Sequence, residues 1–155
     1  MAATTIKFTG EQARGLAGVT PEAWRHWRST VPYLQTKRGK GARFSIGEIV
    51  VLSLLAQAVS DLGIGVSRTA QGWNRLFELC ADQRPADLRD AEVRLRPDDA
   101  EIAVEGALVP AAGFALAMGC APIVDTLMMA AFPDLDPSSQ RPLPFAPRLV
   151  AGSTR

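Results

Sequence analysis

Two groups of cations in the first third of the chain are spaced to meet an anionic surface. The stretch "GVTPEAWRHWRS", Gly18 to Ser29, interleaves Arg25, His26 and Arg28 with Trp24 and Trp27. Further on, "YLQTKRGKGARF" sets Lys37, Arg38, Lys40 and Arg43 around Gly39 and Gly41. At 100° per residue of helix, Trp24 and Trp27 share one face with Val31, while Glu22, Arg25, His26 and Ser29 fall on the other. Tryptophans at this spacing read as core residues that lock the helix to its neighbours. The cations opposite them suit phosphate, which a helix N-terminus also favours. Thr20 and Glu22 stand at the start of the same helix, where side chains reach base edges in a major groove while neighbouring cations hold phosphates.

The elements that must position these residues are legible from their caps. Thr9 caps a first helix, with Gln12 completing a capping box, and Gly18 ends it after about Ala17. Val19 turns inward, Thr20 caps a second helix, and Pro21 takes its favoured first position. Helix, glycine-containing turn and helix form the helix-turn-helix arrangement. Val31-Pro32 ends the second helix. The glycines between Leu34 and Phe44 predict a hairpin tip, a basic wing over residues 37–43. Ser45, with Glu48 at the reciprocal position, opens a helix whose apolar residues wrap most of its circumference, and Gly63 ends it. Ser67 is expected to cap a fourth helix to about Cys80, packing Trp73, Leu76 and Phe77.

On these residues the stretch 6–65 resembles the MerR-type winged helix-turn-helix domain. "TGEQARGLAGVTPEAWRHW" is similar to that family's first two helices, and Trp24-Arg25-His26-Trp27 stands in the place of its usual Leu-Arg-Tyr-Tyr/Trp. "RGKGARFSIGEIVVLSLL" looks like its wing and following helix, and "DLGIGVS" like its link to helix four. The resemblance implies that Arg25 contacts phosphate, that His26 does what the family's tyrosine does, and that Arg43 lies on the wing. Arg43 directly precedes Phe44, where the family's wing arginine usually stands two residues before the aromatic. A hairpin and an apolar segment replace the family's long dimerisation helix, so its metal or drug sensing is not carried over. Related winged domains occur in excisionases and in small DNA-packaging subunits of phages.

The second half has a different period. In "EVRLRPDDAEIAVEG", Val93 and Leu95 alternate with Arg94 and Arg96, and Ile102 and Val104 alternate with Glu101 and Glu105. A turn around residues 97–100 predicts a hairpin pairing Leu95 with Ile102 and Val93 with Val104, with Arg96 opposite Glu101. Residues 106–124 carry no charge. Pro110, Gly113, Gly119 and Pro122 interrupt them, which favours a buried strand and a helix over about 122–132 rather than a membrane span. The Pro-rich stretch after Pro133 reads as a disordered tail.

The whole chain has 155 residues, 47% hydrophobic and 21% charged, as in a globular protein. Its net charge of +1 hides a division. Residues 1–80 hold ten Lys/Arg against five Asp/Glu, a net +5, and residues 81–155 hold seven against eleven, a net −4. A basic half joined to an acidic half suggests a module facing nucleic acid. One histidine, and two cysteines without metal-ligand spacing, argue against a metal site. No phosphate-binding glycine loop or nucleophile motif points to an enzyme or a cofactor. No secretory signal is evident, and a reduced cytoplasmic, nucleoid-associated protein is expected.

The expected fold is therefore α+β: a winged helix-turn-helix domain over 1–82, a small hairpin-containing α+β region over 83–133, and the tail over 134–155. The expected function is sequence-specific binding of double-stranded DNA in transcription regulation, as a homo-oligomer (a dimer) joined through residues 92–132. The alternative is an architectural, packaging or excisionase-like DNA binder. The candidate DNA-binding residues are Thr20, Glu22, Arg25, His26, Arg28, Lys37, Arg38, Lys40 and Arg43.

Overall fold

Capping fixes where the first helices begin. In a computed structural model, which describes residues 6–104 and 113–133, strand β1 (Phe8–Thr9) runs straight into helix α1 (Gly10–Ala17). The Thr9 hydroxyl accepts from the Gln12 amide at 3.2 Å, and the Gln12 side chain accepts from the Thr9 amide at 2.9 Å. Gly18 closes α1 at φ 67°, a left-handed conformation that glycine adopts without a Cβ penalty. Thr20 caps α2 (Pro21–Thr30) by accepting from the Ala23 amide at 3.2 Å.

Beyond α2 the structure corrects the expected wing hairpin. Pro32 cannot continue the preceding helix, but its fixed φ suits the first turn of a new one. Helix α3 (Pro32–Thr36) accordingly occupies the place of the ascending strand and buries Leu34 completely. The basic glycine segment becomes a loop, with Gly39 at φ 88° and the Ala42 amide donating to the Gly39 carbonyl at 3.2 Å. Strand β2 (Arg43–Phe44) pairs with β1 instead, setting Phe8 opposite Phe44 and Thr9 opposite Arg43.

Helix α4 (Ile46–Leu62) is the spine. It is buried from Ile46 through Leu55 and ends at Gly63, φ 63°. Helix α5 (Val66–Cys80) begins two residues earlier than the Ser67 cap allows, with Gly65 as N-cap, and buries Trp73, Leu76 and Phe77. Val66 is itself buried, and that packing draws it into the helix.

Helix α6 (Pro85–Arg89) leads to an antiparallel sheet of β3 (Ala91–Leu95), β4 (Ala100–Val104) and β5 (Leu116–Gly119), in the order β4-β3-β5. The hairpin forms, but two residues out of the expected register: Val93 faces Ile102, Leu95 faces Ala100, and Arg94 faces Glu101. A shift of two keeps every side chain on its face. The turn is tighter than expected because the Arg96 amide donates to the Asp99 carbonyl at 2.8 Å, leaving only Pro97 and Asp98 at the tip. Arg96 still lies 3.5 Å from Glu101. Helix α7 (Ala121–Ala131) follows β5, and the expected tail lies outside the described residues.

The fold is α+β, with one cluster of buried side chains running from Ala13 to Leu127. Ile123, Val124 and Leu127 of α7 belong to it, and Phe8 of β1 meets Phe132 just past α7 at a ring separation of 6.4 Å.

Candidate nucleic-acid interface

The two faces of α2 divide as the helical period requires. Trp24 and Trp27 are buried, and Trp24 packs on Phe44 with ring centroids 5.7 Å apart. Glu22, Arg25, His26 and Ser29 are exposed on the opposite side. Neither the Arg25 nor the Glu22 side chain has a hydrogen-bond or ion-pair partner among the described residues. The His26 ring lies 3.4 Å from the Thr30 hydroxyl, and its carbonyl accepts from Ser29 and Thr30. The Thr20 hydroxyl oxygen is engaged in capping but its own proton is left to donate.

Arg28 differs from Arg25. It is half-buried, with its guanidinium 5.6 Å from the centre of the Trp24 ring. One of its terminal nitrogens points at the Lys37 carbonyl, 3.4 Å away, and Arg38 reaches back to the Arg28 carbonyl at the same distance. Its Nε is buried without a hydrogen-bond partner among the described residues. Arg28 thus ties α2 to the basic loop rather than projecting from it.

The loop is anchored on a buried carboxylate that the sequence marks only as a helix cap. Glu48 is 2% exposed. One of its oxygens accepts from the Ser45 amide at 2.6 Å; the other accepts from the Tyr33 hydroxyl at 2.6 Å and lies 2.6 Å from the Lys37 ammonium. Lys37 also donates to the Arg43 carbonyl at 2.7 Å and sits over the Phe44 and Tyr33 rings. Tyr33 stacks on Phe77 with an interplanar angle of 7°. Burial, then the hydrogen bond and charge of Glu48, push the Tyr33 hydroxyl above the usual tyrosine range. An acidic residue within the apolar run from Ile46 to Leu52 was the one signal in the sequence for this hub.

With Lys37 turned inward, the loop presents Arg38, Lys40 and Arg43. Arg43 braces the turn by donating to the Lys40 and Ala42 carbonyls at 2.9 and 3.0 Å. These donors suit a phosphate chain: one helix face with Arg25 and His26, and beside it a loop tethered at both ends. Among the described residues no group of His, Cys, Asp or Glu could hold a metal ion, and no helix is long and apolar enough to cross a membrane.

Comparison of the chain with protein-family models, with curated proteins and with solved structures found no match.

Proposed function

We propose that this chain binds double-stranded DNA at specific sites and regulates transcription. Helix α2 would enter the major groove, and the loop 37–43 would lie on the flanking backbone. The observation that carries this reading is the exposure of Arg25 and His26 opposite the buried tryptophans, beside a loop that exposes Arg38, Lys40 and Arg43. A face that served only to pack α2 needs Trp24 and Trp27 and no cation. Arg25, Arg38, Lys40 and Arg43 supply phosphate contacts, which fix register; Thr20, Glu22 and His26 stand where base edges are read. Lys37 and Arg28 act as positioning residues, through Glu48 and Trp24. The likeness of residues 6–65 to the MerR-type domain supports the same docking.

The test is selection of bound duplexes from a randomised pool, repeated with Arg25→Ala. A short inverted motif is expected, with Arg25→Ala weakening binding about tenfold or more, the worth of one charge-assisted contact. Binding without sequence preference would favour the architectural or packaging reading. Affinity that Arg25→Ala leaves unchanged would sink the proposed docking of α2.

A further inference from the structure

We infer that the outer edge of β5 pairs with the same edge of a second copy of this chain, antiparallel and centred on Ala117. The direction of the backbone groups carries the inference. Cys120 donates to the Ala91 carbonyl at 3.1 Å, and residues 92–95 pair with 119–116 in the same register. In an antiparallel ladder hydrogen-bonded and non-bonded pairs alternate. Leu116 and Met118 therefore direct their amides and carbonyls at β3, while Ala117 and Gly119 direct theirs outward. The Arg96-to-Asp99 bond on the other side of β3 gives the same phase. Among the described residues no strand takes up the outward groups of β5.

A twofold axis normal to the sheet fits this edge. With Ala117 opposite its own copy and Ala115 opposite Gly119, all the outward groups pair, giving about six backbone bonds. Leu116 then faces Met118 on the apolar side, and small residues meet on the other. The strand "LAMG" has none of the charges, prolines or bulges that protect a solvent-facing edge.

The surroundings of the strand are complementary under the same operation. Beside its Gly119 end lies a hollow of about 290 Å³ lined by Leu62 and Asp61. Beside its other end lies one of about 330 Å³ lined by Phe114 and Arg96. Phe114 is 98% exposed and Leu62 61%. Antiparallel pairing brings the Gly119 end of each copy to the Phe114 end of the other, so the exposed Leu62 and Phe114 meet apolar surface. The inference is independent of the DNA reading, because no residue of α2 or of the loop 37–43 takes part.

Sedimentation of the full chain tests it, alongside Ala117→Pro and Ala117→Lys. Proline removes only an outward-facing amide, and lysine adds like charges at the axis, so both should keep the wild-type circular dichroism. The wild type is expected at twice the monomer mass and both variants at the monomer mass. Ala117→Cys should form a disulfide-linked dimer under mild oxidation, since paired Cα atoms at such a position stand about 5.5 Å apart. An exposed control, Gln71→Cys on α5, should not. A monomeric wild type, or a dimer that both edge variants leave intact, would overturn the pairing.

Discussion

Glu48 is the residue on which the geometry of the basic loop turns. Three donors converge on one buried carboxylate, from α3, from the loop and from the start of α4. Removing it leaves the Lys37 ammonium, only a quarter exposed, without its counter-charge. Glu48→Ala is expected to cost about 3 kcal/mol, the low end for breaking a buried pair because Lys37 retains some water. Glu48→Gln keeps an acceptor for the Ser45 amide, turns an NH2 donor toward the Tyr33 hydroxyl oxygen, and should cost less. Urea unfolding measures both, and a loss under about 1 kcal/mol for the alanine variant would show that the hub carries little energy. Buried thiols give a second expectation at this scale. Burial pushes Cys80 up to about 12 and Cys120 up to about 11, from an ordinary value of 9.0. Above pH 9.0 the unfolded chain loses thiol protons that the folded chain keeps, so the unfolded state binds fewer protons. Stability must then fall as pH rises from about 9 to about 12, and Tyr33 adds to the fall in the upper part of that range. The urea midpoint should follow this slope, and Cys80→Ala should flatten it. A midpoint that stays level across that range would contradict the burial of both thiols.

At the scale of elements, two glycines set how closely the layers approach. A methyl group at Gly47 would overlap the Cys80 carbonyl, and one at Gly72 would overlap the Arg96 carbonyl at the hairpin tip. The obstacle is backbone in each case and cannot swing aside. Alanine at either site should cost about 3 kcal/mol or more despite a helix-propensity gain of up to about 1 kcal/mol. Gly15, in α1, has open space around it, so Gly15→Ala should stabilise by up to that gain. Thermal unfolding of the three variants decides the matter, and similar shifts for all three would refute the close approach. The helix ends at Gly18 and Gly63 could be read from the sequence because capping is local chemistry. The exposed face of α2 followed from periodicity in the same way. Helix α3 could not be read so easily, since Pro32 serves equally to stop one helix and to start another. The hairpin register was beyond alternation alone, because a slip of two residues leaves every face unchanged and Gly72 resting on the tip selects the tighter turn. The inward turn of Lys37 and Arg28 was hidden for a similar reason: their partners, Glu48 and Trp24, are set by tertiary packing.

Over the whole molecule, ion pairing sharpens the division of charge between the halves. Arg84, Arg89, Arg94 and Arg96 each lie against a carboxylate of their own acidic half: Asp87, Asp125, Glu92 and Glu101. In the basic half Arg14, Lys37 and Arg75 are similarly paired, whereas Lys7, Arg25, Arg28, Arg38, Lys40, Arg43 and Arg68 form no ion pair among the described residues. Five of these seven, all but Lys7 and Arg68, lie on α2 or the loop beside it. If these groups bind phosphate, affinity must fall with salt by about 0.9 per phosphate contact in log-log slope. Replacing Arg38, Lys40 and Arg43 together by glutamine should lower the slope by about 2.7 for each copy bound, with Glu48 and Lys37 still holding the loop. Pairing through β5 doubles the number of contacts on a two-site duplex, so Ala117→Pro should roughly halve the wild-type slope while leaving the slope per copy unchanged. Titration across a range of salt concentrations separates the two proposals. A slope that the triple variant leaves alone removes the loop from the DNA, whereas one that only Ala117→Pro leaves alone removes the second copy.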